Sequence, residues 1–106
     1  MAKYMFQASY SVEGARGLMR EGGSARRDAI ARGMEALGGK LEAFYYTFGK
    51  DDVVVIAEVP DDVTAAAFSL TVAASGAAAV KTTVLLTPEE IDAATKMSVS
   101  YRPPGA

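Results

Sequence analysis

The sequence predicts an α+β domain with elements in the order β-α-β-β-α-β and a short helix after them. Three features carry this expectation. "KYMFQASY" alternates with period two, "KLEAFYYTFGKDDVVVIAEV" has the form of a hairpin, and two stretches, one before and one after that hairpin, have helical spacing behind a capping residue.

In the first strand, residues 3–10, Tyr4, Phe6, Ala8 and Tyr10 share one face and Met5, Gln7 and Ser9 the other. Residues 11–23 hold four glycines and predict a long connection with room for a short helical turn. Ser24 is the expected N-cap of a helix over 24–37, with Ala25, Ala29, Ile30, Gly33, Met34 and Leu37 as its inner stripe. Gly38 or Gly39 supplies its C-terminal stop.

"KLEAFYYTF" reads as the second strand, with Leu41, Ala43, Tyr45 and Thr47 opposite Glu42, Phe44, Tyr46 and Phe48. Gly49 to Asp52 is the turn of an antiparallel hairpin. "VVVIAEV" follows, β-branched on both faces and therefore expected at the sheet centre with both faces covered. Pro60 ends it, and Asp61 or Asp62 caps a second helix that runs to Ser75 and stops at Gly76. Its expected core stripe is Val63, Ala66, Ala67, Leu70 and Ala74, which leaves Ala65, Phe68 and Val72 outside and in need of cover. "AAAVKTTVLLT" is the fourth strand. Thr87, Pro88 and Glu90 form a capping box for a last helix, whose Ile91, Ala94 and Met97 are candidates to cover Phe68 within the chain or across a dimer. The order is that of the ferredoxin-like split βαβ, with one domain over 1–98 and a tail over 99–106.

Such a sheet has helices on one face only, and here neither face reads as polar. Exposed apolar area costs about 25 cal/mol per Å², so the sequence predicts a homo-oligomer, most simply a dimeric α/β barrel with two sheets packed face to face.

Composition narrows the chemistry. With 106 residues the chain is one domain. It has no cysteine and no histidine, so disulfides, thiolate nucleophiles, imidazole catalysis and the usual zinc or haem ligands are absent. No metal site and no cofactor are expected. The net charge is −2, with the basic excess in residues 1–40 and the acidic excess in the remainder. The basic groups are few and not interleaved with aromatics, which predicts no nucleic-acid partner. The start "MAKYMFQASY" lacks a signal-peptide core and no apolar run approaches a membrane span, so a cytoplasmic protein without a membrane partner is expected.

Candidate chemistry is sparse. Asp51 and Asp52 read first as turn residues; alternatively one of the two carboxylates acts as a base with Tyr45 or Tyr46 as donor. Glu58, alone in the apolar third strand, is either a rim carboxylate or a desolvated acid or base, depending on which way it points. Arg26 and Arg27 after "GGS" are either a solvated helix face or an anion site, though no phosphate-loop spacing occurs. Glu58, Asp52 and Tyr46 are the catalytic candidates. Tyr10, Arg27, Tyr45, Tyr46 and Glu58 are the candidates to line a site for a small apolar or anionic ligand.

The chain resembles the GYD-domain family over residues 4 to about 91. The resemblance rests on Tyr10-Ser11 with Gly14, the Arg27 neighbourhood, Gly38-Gly39-Lys40-Leu41, Tyr45-Tyr46, the run Glu58 to Asp62, and Thr87-Pro88-Glu89-Glu90. The Gly-Tyr-Asp motif that names these small bacterial proteins is altered: Gly49 matches with Lys50 as spacer, Asp51 stands where tyrosine would, and Asp52 matches. The resemblance implies a ferredoxin-like, dimeric α/β-barrel type of fold and brings no established activity. Three readings stay open: a homo-oligomeric ligand-binding or accessory protein, a cofactor-independent oxygenase- or isomerase-type enzyme with Glu58 or Asp52 as base, and an assembly oligomer.

Overall fold

The computed structural model describes residues 1–106. Its elements are β1 (Ala2–Tyr10), α1 (Val12–Glu21), α2 (Gly23–Ala36), β2 (Lys40–Tyr46), β3 (Val53–Val59), α3 (Asp62–Ala74), β4 (Ala78–Leu85) and α4 (Pro88–Thr95). All strand pairs are antiparallel and the sheet order is β2-β3-β1-β4. This is the ferredoxin-like arrangement, with α2 and α3 on one face of the sheet. The core lies between them: Tyr4, Phe6, Val53, Val55, Ala57 and Val59 from the central strands, with Met34 and Ala65 from the helices.

The glycine-rich segment after β1 is a full helix rather than a connection. Ser11 caps it, its hydroxyl accepting from Gly14 N–H at 3.1 Å. Glu13 in the first turn and Arg20 in the last complement the helix dipole. Gly14 is required by proximity, since a Cβ there would stand 2.1 Å from the Ala77 carbonyl oxygen. Gly22, at φ 87°, breaks the chain between α1 and α2, so Ser24 lies inside α2 and is not its cap.

β2 departs from simple alternation. A β-bulge falls between Leu41, opposite Ala57, and Ala43, opposite Ile56. The extra residue, Glu42, reaches Lys3 Nζ at 3.0 Å. The bulge shifts the phase so that Leu41, Phe44 and Tyr46 all face the helices, whereas strict alternation separates Leu41 from the other two. The strand ends at Tyr46, and Phe48 sits in the loop at φ 47°.

α3 is rotated from its expected setting. Ala65 is buried, with Phe68 and Val72 half-buried on the same side, while Val63 and Leu70 face out at 78% and 70% exposure. The helix is apolar nearly all round, so periodicity gives no orientation. Packing does: Phe68 meets Phe6 edge to face with ring centroids 5.0 Å apart. The Tyr4 hydroxyl donates to the Asp62 carboxylate, and Ser69 and Thr82 hydroxyls lie 2.6 Å apart. Asp61 is the cap, accepting from Thr64 N–H.

Phe68 therefore needs no cover from the terminal helix. α4 keeps its full capping box, Thr87 N–H donating to Glu90 Oε1 at 2.9 Å, yet every residue from Pro88 to Ala106 is exposed. The radius of gyration, 16.8 Å, exceeds the ~13 Å of a compact chain of this length, because α4 and the tail stand away from the sheet and its helices.

The uncovered sheet face carries Met5, Val54, Ile56 and Leu85, all half-buried, with Tyr45 67% exposed. β3 is central as expected, but within one chain only its Val53-Val55-Ala57-Val59 face is covered.

Candidate functional site

A cavity of about 230 Å³ opens between the sheet and the two helices packed on it. Phe6, Ala8, Val53 and Val55 form its floor. Ile30 of α2 and Phe68 and Val72 of α3 form its walls. At one end stand Tyr10 and Arg26, and Arg26 is the single charged residue in the lining. Strand alternation puts Tyr10 on the same face as Phe6, and Arg26 lies one helical turn before Ile30 on α2.

The cavity's hydroxyl groups are largely engaged. Thr71 donates to the Ala67 carbonyl and Ser75 to the Val72 carbonyl. Tyr46, outside the lining but flanking Tyr10, donates to the Gly23 carbonyl at 3.1 Å. Burial pushes the Tyr10 phenol up to about 12; Tyr46 adds to the rise and Arg26 opposes it. Burial is also the main cause that raises Tyr46. Both phenols are neutral at physiological pH.

Arg26 has an ion-pair partner in Glu21, Nη1 to Oε2 at 3.4 Å. The pair is long and partly exposed, of the kind worth about 0–1 kcal/mol. On its far side the cavity meets a polar cleft under α1, sharing Tyr10, Arg26, Ser75 and Ala77 with it. That cleft holds Arg20 and Arg26 against Glu13 and Glu21.

The other candidates are dispersed. Glu58 lies on the uncovered sheet face, in register between Lys3 of β1 and Lys40 of β2. Its direction is thereby decided: away from the helices and from the cavity. Asp52 accepts the Tyr10 backbone N–H at 2.8 Å, and its own N–H donates to the Ala8 carbonyl. Asp51 accepts from Ser9 and pairs with Lys81 Nζ at 2.9 Å; the Lys81 hydrogen bond chiefly holds its carboxyl below the usual range. Arg27 is exposed and pairs with Asp28, outside the cavity. Tyr45 and Arg27 border a shallow dent beside Tyr46. No carboxylate lines the cavity, and no group of three or more acidic side chains is arranged to hold a metal.

The comparison with known families bears on these positions. A family model described as the GYD domain matches residues 4–95. The chain belongs to the GYD-domain family. The match runs from β1 through α4, so α4 is part of the GYD domain although all of its residues are exposed. No curated protein and no solved structure matches the chain. The motif positions Gly49, Asp51 and Asp52 fall in the β2–β3 loop, where both aspartates tie that loop to neighbouring strands. The sequence alone puts Tyr10 and Arg26 in separate groups and does not mark Ile30 and Phe68 as cavity walls. Stepping four residues back from Ile30 along the α2 stripe leads to Arg26.

No helix in the GYD domain is long and apolar enough to cross a membrane.

Proposed function

We propose that this GYD domain is a non-catalytic binding protein for a small, mainly apolar molecule, and that it works as a dimer joined through the uncovered sheet faces. The observation that carries the first part is the cavity itself. It is a half-open hollow floored by core side chains, apolar along its length and polar at one end, the usual make-up of a small-molecule site. Its volume of about 230 Å³ lies below the roughly 300–1,000 Å³ of drug-sized sites, which suits a ligand of few heavy atoms.

An enzyme of the oxygenase or isomerase type would require a base within reach of the bound molecule. Glu58 is on the opposite sheet face, and Asp52 is held by the Tyr10 backbone. Tyr46 is neutral and already donates to a backbone carbonyl. The binding reading needs none of these groups to react.

The dimer follows from the uncovered face. Met5 pairs in register with Ile56, and Val54 with Tyr45, so the apolar groups are contiguous across β1, β3 and β2. This apolar strip, flanked by Lys3, Glu58, Gln7 and Lys81 on the same face, supports self-association. Pairing two such faces leaves the cavity, on the helix side of each sheet, intact.

Native mass spectrometry of protein purified from its own host tests both parts. The expected spectrum is a dimer that sheds a small molecule on collisional activation. A monomer would contradict the dimer, and a dimer of bare polypeptide mass would contradict retained ligand.

A further inference from the structure

We infer that the ligand is a small amphipathic anion, with its apolar body in the cavity and a carboxylate or similar acceptor-only group against Arg26. The inference rests on the reading of the cavity as a ligand site and adds the chemical class.

Four observations carry it. Arg26 is the single charged residue lining the cavity, and its ion-pair partner Glu21 lies outside that lining, so an apolar chamber ends in a cation. Among the lining hydroxyls those of Thr71 and Ser75 already donate to backbone carbonyls, which leaves the guanidinium, beside the Tyr10 hydroxyl, as the main source of donors. Glu21 engages one guanidinium nitrogen, at 3.4 Å, so further N–H donors of the five remain without a protein partner. No side-chain carboxylate lines the chamber, so an amine would find no counter-ion there. A guanidinium fork matches a carboxylate with two parallel hydrogen bonds, and beside an apolar wall it is less screened by water than at an open surface. The adjoining cleft is charge-balanced, with Arg20 and Arg26 facing Glu13 and Glu21. Preference for an anion therefore comes from the chamber end, where Arg26 alone faces apolar walls.

Hexanoate, hexan-1-ol and hexylamine have equal apolar bodies and differ in the head. Binding of each to the full chain is measured by calorimetry at neutral pH, for wild type, Arg26→Gln and Glu21→Gln. The expected order is hexanoate, then hexan-1-ol, with hexylamine weakest. Arg26→Gln should weaken hexanoate by about tenfold or more and leave hexan-1-ol within a factor of two or so. Glu21→Gln, which frees the guanidinium, should tighten hexanoate and guards against misreading an Arg26 variant that folds poorly. Equal affinity for hexanoate and hexan-1-ol, unmoved by either substitution, would overturn the anion assignment while supporting the cavity. Tighter binding of hexylamine would overturn it as well. Failure of all three probes would instead overturn the cavity reading on which the inference rests.

Discussion

The Tyr10 backbone N–H donates to the Asp52 carboxylate at 2.8 Å, joining the end of β1 to the β2–β3 loop. Because Tyr10 stands at the polar end of the cavity, the altered family motif acts on the candidate site through the backbone. Removing one partner of a buried or half-buried charged hydrogen bond leaves the other unsatisfied, at a cost of about 1–3 kcal/mol. Asp52→Ala should lower stability by that amount in urea titrations, and Asp52→Asn, which keeps an acceptor oxygen, should recover most of it. Equal loss in both variants would show that the carboxylate's charge, not its acceptor geometry, is what matters.

Gly14 explains a second part of the family pattern. A methyl group there meets the Ala77 carbonyl oxygen, whereas at Gly17 the nearest contact is the far end of Arg20, at 3.9 Å. Gly14→Ala should therefore cost roughly 1–3 kcal/mol through forced displacement of α1. Gly17→Ala should be neutral or stabilising by up to about 1 kcal/mol, because it only improves helix propensity. Thermal unfolding of the two variants side by side checks this, and a similar loss in both would refute the close-approach account.

Stability should fall on the alkaline side. Tyr10 is raised to about 12 by burial, and Tyr4 to about 12 chiefly by its hydrogen bond to Asp62. A phenol with a raised folded pKa binds its proton more tightly in the native state. Its contribution is whole below the unfolded value near 10 and is lost as pH rises toward about 12. Urea midpoints from pH 8 to 11 should decline at the upper end, and Tyr10→Phe and Tyr4→Phe should each flatten the decline. At the acid end the sign reverses for Asp51. Its depressed carboxyl contributes above the ordinary value of 3.8 and loses that contribution as pH falls through the lower folded value. Lys81→Met should shift that loss upward in pH.

Much of this was legible from residue types, because caps and stops are local chemistry. Asp61, Thr87 and Glu90 act as their spacing requires, and the βαββαβ order follows from them. Three things were hidden, each for a physical reason. α1 contains Gly14 and Gly17, which lower helix propensity, and the close approach to Ala77 that requires Gly14 is long-range and leaves no local signal. The Glu42 bulge breaks the period of two on which face assignment depends. α3 is apolar on nearly every side, so only packing against Phe6 could reveal that Phe68 faces inward. Of the site, Tyr10 was readable as an inward strand residue. Arg26 was not separable from Arg27 until Ile30 fixed which side of α2 meets the sheet, and Glu58 needed the register of β3 to show its direction.

The inward setting of Phe68 divides assembly from folding. Ile56→Lys places a charge on the uncovered sheet face and should convert a dimer to a folded monomer by light scattering, with its circular dichroism unchanged. Phe68→Glu should unfold the chain instead, since it buries a carboxylate against Phe6. A dimer that survives Ile56→Lys would place the interface elsewhere, with exposed α4 the next surface to probe.

The central claim is that the chamber between sheet and helices admits a small apolar molecule. Methyl NMR during titration with hexan-1-ol, a neutral probe independent of Arg26, tests it most directly. Saturable shifts are expected at Ile30, Val53, Val55, Val72 and Val80, with Val54 and Ile56 on the other sheet face unmoved. Shifts centred on Val54 and Ile56, or none at any of these methyls, would contradict it.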